Sequence, residues 1–251
     1  MTAADRVEEP SGGLPEAVLR PAVGNVFETT VEQLATAIRL GVFVDGDVLP
    51  AERELAERLG VSRNTLREAI AALRDSGLVT TRRGRGGGTV VTYAAAQATA
   101  VPSPGMGSGP RQGAALADAL DFRRVVEPGA AWLAAYRGVS ADQRDWLLEC
   151  ADLTRSRATD AGEHRIADSR FHLAVATVSG SPMLVEAVTR SQAALSELLA
   201  AIPVLRRNID HSNDQHEAVV RAIVGGDADG ARRAMEEHCD ATAALLRGLI
   251  G

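Results

Sequence analysis

The stretch from Ser62 to Gly88, SRNTLREAIAALRDSGLVTTRRGRGGG, constrains the fold more than any other part of the chain. Ser62 is placed to cap a helix, and Leu66, Ala69, Ile70 and Leu73 recur at helical spacing behind it. That helix is predicted to stop near Gly77. LVTTR and GTVVTY follow on either side of a glycine-rich tip and read as two strands of a hairpin. In front, AERELAERLG reads as a helix stopped by Gly60, so a tight turn separates it from the capped helix. Before that, Val31, Leu34, Ile38 and Leu40 mark a helical stripe ending at Gly41, and DGDVLP reads as a turn with a short extended piece. Two helices across a tight turn, followed by a hairpin, make a winged helix-turn-helix.

The polar residues of this segment match that architecture. Arg63, Asn64, Thr65 and Arg67 occupy the half of the second helix that such a motif inserts into the major groove. Arg and Asn can each read a base edge through two hydrogen bonds, and Thr can meet a base or a phosphate. Arg82, Arg83 and Arg85 stand on the wing, within reach of backbone or minor groove, and the glycines around them permit close approach. Arg58 and Arg74 read as ordinary solvated surface. The chain carries a net charge of -6, which disfavours indiscriminate nucleic-acid binding and requires the positive surface to be local. All 27 basic residues are Arg, so phosphate contacts would come from planar, bidentate donors.

The expected organisation is a mobile tail over 1–22, the winged helix-turn-helix DNA-binding domain over 23–93, a Pro/Gly/small-residue linker over 94–113, and a helical domain over 114–251. Aromatics make up only 3% of the chain, which suits packed helices with aliphatic cores. No apolar run reaches the roughly 18 residues of a membrane span. The acidic start is unlike a secretory signal, and two cysteines supply no disulfide framework. These features point to a cytoplasmic protein.

From Ala114 onward six helical stripes follow one another through short loops, which implies an antiparallel all-α bundle. The first contains Pro128 as a place for a bend. The second is capped at Ser140 and the sixth at Asp227. Asp168 and His172, four residues apart, share one helical face. His216 and His238 lie on the last two helices, where antiparallel packing can bring them to one depth. One carboxylate and three imidazoles suit a divalent first-row ion such as Zn²⁺, Ni²⁺ or Mn²⁺. The same spacing also fits a helix ion pair beside two unrelated histidines.

LPAERELAERLGVSRNTLREAIAALRDSGLVTTRRGRGGGTVV closely resembles the DNA-binding domain of GntR-family bacterial transcription regulators. The resemblance implies operator contacts at Arg53, Arg63, Asn64, Thr65, Arg67, Arg83 and Gly84. Asn64 stands where Thr or Ala is more usual, and the glycine run over Gly86–Gly88 is longer than the common wing tip. FRRVVEPGAAWLAA, ADSRFHLAVATVSGSP and QHEAVVRAIVGGDADGARRAMEEH resemble the FCD domain of the FadR branch. That resemblance implies a metal held by Asp168, His172, His216 and His238, with Arg123 and Glu127 at an effector cavity and Arg124 as the competing arginine. Ser181 replaces a common Asn; His164 and His211 read as surface; Cys239 should point away from the metal. The whole then reads as a homodimeric transcription regulator on a pseudo-palindromic operator. Its affinity would be set by a small carboxylate, with repression as the family's commoner mode. The alternatives are a purely structural metal without an acid effector and, more remotely, a metal-dependent enzyme.

Overall fold

The computed structural model describes residues 13–19, 21, 26–82, 87–94, 110–200 and 206–250. Among them are ten helices and one two-stranded sheet. The helices are α1 (Leu14–Val18), α2 (Val26–Arg39), α3 (Glu52–Leu59), α4 (Arg63–Asp75), α5 (Pro110–Arg137), α6 (Ala141–Ser156), α7 (Ala161–Val178), α8 (Pro182–Ala200), α9 (Arg206–Val224) and α10 (Ala228–Ile250). The strands are β1 (Val79–Arg82) and β2 (Gly88–Val91). The fold is mainly α, with a winged helix-turn-helix ahead of an all-helical domain.

The local signals act where the sequence puts them. Gly60 ends α3 in the left-handed conformation (φ 64°). Ser62 Oγ then accepts from Thr65 N at 3.0 Å and starts α4. Leu66, Ala69, Ile70 and Leu73 are its buried face. The hairpin pairs Val79 with Val91 and Arg82 with Gly88 in antiparallel register. The extended piece joins it: Val48 bridges Val90, and Leu49 N donates to Thr89 O.

In the second half, Ser140 and Gln143 form a capping box on α6, and Asp160 caps α7. Asp227 accepts from Gly230 N at the start of α10. Ser181 Oγ accepts from Leu184 N, so it serves as a cap for α8 without the amide of Asn. Helix α5 continues through Pro128 and packs on α10, α8, α7 and α9, so it forms one wall of the bundle.

Two expectations change. Residues 1–22 are not a tail throughout, because Leu14–Val18 form α1 and Leu14, Val18 and Leu19 are buried in the core against α7 and α8. Leu14 and Val18 share one face, and Leu19 follows it inward. Helix α5 also starts at Pro110, inside the stretch read as linker. The two halves touch through α7. Arg170 Nη1 donates to Gly41 O in the turn after α2. Gly41 has φ 73°, and a Cβ there would run into the Ile166 side chain, so glycine is required on both counts.

Candidate nucleic-acid interface and metal centre

The polar face of α4 is exposed and partly self-paired. Arg63, Asn64 and Arg67 stand in solvent, and Thr65 is half-buried. Arg67 Nε donates to Glu52 Oε2 at 2.7 Å, Asn64 Nδ2 to Glu68 Oε1 at 2.8 Å, and Arg53 Nη1 to Glu57 Oε1 at 3.3 Å. Arg63 makes no hydrogen bond or ion pair among the described residues. No acidic side chain occupies the first turn of α4, so the positive end of its dipole faces outward beside Arg63. Exposed ion pairs such as Arg67–Glu52 are worth little and exchange readily for a phosphate or base edge.

The second cluster lies inside the bundle. Asp168 and His172 come from α7, His216 from α9, His238 from α10, and Arg123 and Glu127 from α5. One ring nitrogen of each of His172, His216 and His238 lies within 4.8 Å of the others, and all three residues are buried. Asp168 Oδ1 is 3.5 Å from His216 Nε2, and its Oδ2 is 3.9 Å from His172 Nε2. Supporting groups orient the rings. His238 Nδ1 is 3.2 Å from Gln215 Oε1. His172 Nδ1 is 2.9 Å from Glu127 Oε2, although poorly aligned for a hydrogen bond. Such contacts on Nδ1 leave the Nε2 lone pairs for the interior. Neither nitrogen of His216 has a hydrogen-bond partner, which is costly for a buried imidazole unless something else takes its lone pair.

Charge in this cluster is tightly arranged. Arg123 Nε donates to both oxygens of Glu127 at 3.2 Å. Its Nη2 is 3.0 Å from His238 Nε2 and 3.4 Å from His172 Nε2, and its Nη1 is buried with no partner. Glu127 Oε1 also accepts from Ser191 Oγ at 3.1 Å and Gln192 Nε2 at 2.7 Å. Burial would raise the Glu127 carboxyl, but Arg123 and His172 outweigh it and hold it at about 2. Burial drives His216 down to about 3 and holds His238 well below its ordinary value, so both are neutral donors at neutral pH. For Asp168 the upward pull of burial is outweighed by His172 and His216, and its carboxyl stays ionised. Three imidazoles and a carboxylate with unsatisfied buried nitrogens fit a divalent first-row ion.

A cavity of about 110 Å³ opens beside this cluster. Arg123, Asp168 and His238 of the cluster line it, together with His164, Arg165 and His211. It is several times larger than the roughly 10–15 Å³ that one water needs.

The model described as bacterial regulatory proteins of the gntR family matches residues 27–91, and the FCD domain model matches residues 118–241. Over 212 residues the chain is 36% identical to an Escherichia coli (strain K12) protein named "Putative L-lactate dehydrogenase operon regulatory protein"; the match covers 77% of this chain and 75% of that one. The chain belongs to the GntR family of transcription regulators and carries an FCD domain. The regulator is also 30% identical over 224 residues to the Glc operon transcriptional activator of the same bacterium, covering 85% of each. It is 29% identical over 235 residues to the transcriptional repressor NanR of Cronobacter sakazakii, covering 88% of this chain and 85% of that one. The solved structure of Escherichia coli McbR/YncC superposes with a TM-score of 0.54 at 19% identity, over 90% of this chain and 99% of that one, and shows the shared fold. These relatives are transcription regulators, not enzymes.

The regulator brings Asp168, His172, His216, His238, Arg123 and Glu127 together, whereas Arg53, Arg63, Asn64 and Arg67 are exposed and Thr65 is half-buried. Arg83, Gly84 and Arg85 lie outside the described residues. Arg124 turns away from the cavity and pairs with Asp240 at 2.7 Å and Glu236 at 3.2 Å, which leaves Arg123 as the cavity arginine. Glu127 does not line the cavity. It pairs with Arg123 and lies 2.9 Å from His172 Nδ1, so it braces the arginine that does line the cavity. His164 is not surface: it is buried, and its Nδ1 donates to Thr154 O at 3.1 Å. The available signal was its position one turn before Asp168, on the same helical face. His211 is exposed, as read, but it borders the cavity. Arg58 is less solvated than expected, its side chain being 18% exposed and paired with Glu54. Cys239 is buried, and its Sγ faces Glu127 Oε2 at 4.0 Å; burial pushes its thiol up to about 12. Gln215, Ser191 and Gln192 were missed, because a side chain that orients a ligand carries no spacing signal of its own.

Proposed function

We propose that the regulator is a cytoplasmic homodimeric repressor whose operator affinity is controlled by a small carboxylic acid bound at a divalent-metal site in the helical domain. Arg53, Arg63, Asn64, Thr65 and Arg67, with Arg83 and Gly84 on the wing, would contact a pseudo-palindromic operator, one half-site per protomer. Asp168, His172, His216 and His238 would hold the ion, which supplies a positive centre with open coordination positions for a carboxylate.

The observation that carries this reading is the buried, unpartnered Nη1 of Arg123 beside the three imidazoles. Arg123 and a bound cation face the same lone pairs on His172 and His238. Together they bring three positive charges, and Glu127 and Asp168 bring two negative ones. The remaining positive charge calls for an anion, and Arg123 is placed to take one carboxylate in hydrogen bonds. The name of the relative that refers to an L-lactate dehydrogenase operon supports a hydroxy acid as the chemical class. The acid changes operator affinity only to the extent that it prefers one arrangement of the two domains over the other.

A thermal-shift screen of the full chain against small carboxylic acids, with and without chelator, tests this. A ligand that binds only the folded state raises the melting temperature by mass action. The expected result is a rise with one class of acid, abolished by chelation, and a metal content that drops in His172→Ala. A large fall on chelation with no response to any acid would make the metal structural and overturn the effector assignment. Full metal retention in His172→Ala would overturn the ligand set.

A further inference from the structure

His164 is a buried histidine that the proposed metal site does not use, and one of its two nitrogens is already committed. It stands one turn before Asp168 and two before His172, so the three side chains follow one another along one face of α7. His164 Nδ1 is 3.1 Å from Thr154 O near the end of α6. A carbonyl oxygen only accepts, so Nδ1 carries a proton and, in the neutral ring, Nε2 carries a lone pair. The two ring nitrogens point away from each other. Nδ1 points at α6, and among the described residues α6 contributes nothing to the cavity wall, which comes from α5, α7, α8, α9 and α10. His164 does line that cavity, and its Nε2 makes no hydrogen bond among the described residues. The lone pair therefore faces the space left for a ligand, and it asks for a donor.

We propose that His164 selects the effector: its Nε2 accepts a hydrogen bond from a hydroxyl that the acid carries beyond the carbon next to its carboxylate. This rests on the acid-binding reading above and names a chemical feature that the acid must have. Arg123 and the ion hold the carboxylate at one end. His164 lies four residues from Asp168, about 6 Å along the helix axis. A hydroxyl on the carbon next to the carboxylate stays at the ion with it, whereas one further along the chain reaches His164. The cavity, at about 110 Å³, has room for such a chain, and Leu195, Leu199 and Leu245 give its carbons an apolar wall. A second carboxylate suits the same place poorly, because it meets the Nε2 lone pair as another acceptor. Arg165 and His211 also line the cavity and make a dicarboxylate the competing occupant.

The test uses the full chain loaded with Zn²⁺ and five four-carbon acids: butyrate, its 2-, 3- and 4-hydroxy derivatives, and succinate. Calorimetric titration should show 3- or 4-hydroxybutyrate binding about five- to tenfold tighter than butyrate, the net worth of one hydrogen bond. His164→Asn keeps a donor for Thr154 O and offers nothing at the Nε2 position. It should bring the favoured hydroxy acid down to butyrate while leaving butyrate affinity and metal content unchanged. 2-Hydroxybutyrate, whose hydroxyl stays at the ion, should be indifferent to the substitution. His164→Gln, whose longer amide reaches the Nε2 position, should restore most of the preference, which a merely structural role for the ring would not produce. No preference over butyrate in the wild type, the same preference in His164→Asn, or succinate as the tightest binder overturns the assignment and leaves the acid site standing. No binding of any of the five acids overturns the acid site, and the assignment with it.

Discussion

The recognition helix and the bundle site handle charge in opposite ways. On α4 and α3, Arg67 and Arg53 stand in water and each pairs with a glutamate across a single, exposed contact. Between α5, α7, α9 and α10, Arg123 and Glu127 are fully buried and share hydrogen bonds with Ser191, Gln192 and two imidazoles. The first surface is available to a large polyanion and costs little to rearrange. The second admits only a small ligand, and its charges hold each other in place. Function on α4 is therefore separable from stability, whereas in the bundle the two are joined.

The largest expected effect breaks the buried network. Glu127→Ala leaves the Arg123 guanidinium buried without its carboxylate, and removing one partner of such a pair costs about 3–5 kcal/mol. Denaturant unfolding of the variant should show that loss, while Glu52→Ala, which removes an exposed partner of Arg67, should cost less than about 1 kcal/mol. Equal losses would mean that water reaches Arg123. Acid sharpens the same contrast. His216 is held at about 3 and His238 well below its ordinary value, so the unfolded chain takes up protons that the folded chain refuses. Their contribution is complete above the unfolded imidazole value of about 6.5 and falls away as pH drops below it. Glu127, held at about 2, adds a further loss once pH falls through the ordinary carboxylate range. Melting temperature should thus fall from pH 7 to pH 4.5, by an amount equivalent to about 2–4 kcal/mol, with chelator present or absent. A flat profile would show that His216 and His238 are hydrated.

How legible each region was in the sequence follows from how local its signals are. The α4 cap and stripe act within one turn or two, so Ser62 and Leu66 reveal the helix and the face left for Arg63. Asp168 and His172 share a face for the same reason. The meeting of His216 and His238 with them depends on how α9 and α10 pack, which periodicity suggests but does not fix. His164 was misread because its partner, Thr154 O, comes from the preceding helix. For Glu127, one turn from Arg123 fits equally a cavity wall and a brace behind it; the contacts with Ser191 and Gln192 come from a third element, α8, that spacing does not reveal. Helix α1 was missed because five residues with one proline give too short a pattern, and its stability comes from α7 and α8.

On the exposed side the expected effects are on binding alone. Arg63→Ala should weaken specific operator binding by about 1–3 kcal/mol if the guanidinium reads a base. Unfolding should stay within about 0.5 kcal/mol of wild type, since Arg63 is exposed and makes no hydrogen bond or ion pair among the described residues. Fluorescence anisotropy on operator and on scrambled duplex separates the outcomes. A loss restricted to the operator supports base reading, and an equal loss on both assigns Arg63 to the phosphates.

The smallest expected effect tests whether the glutamates around α4 hold the readers back. Arg67 gives its Nε proton to Glu52 at 2.7 Å, with the two side chains 59% and 38% exposed. Binding DNA requires that guanidinium to trade a carboxylate for a phosphate or a base, and it leaves Glu52 close to a polyanion. Glu52→Gln removes the charge yet keeps the shape, so it should raise affinity for operator and scrambled duplex alike by up to about 1 kcal/mol, most visibly at low salt. An unchanged affinity would mean that Glu52 swings clear on binding. A reduced affinity would mean that it holds Arg67 in the reading position, as Glu127 holds Arg123, and the contrast between the two regions would narrow at that residue.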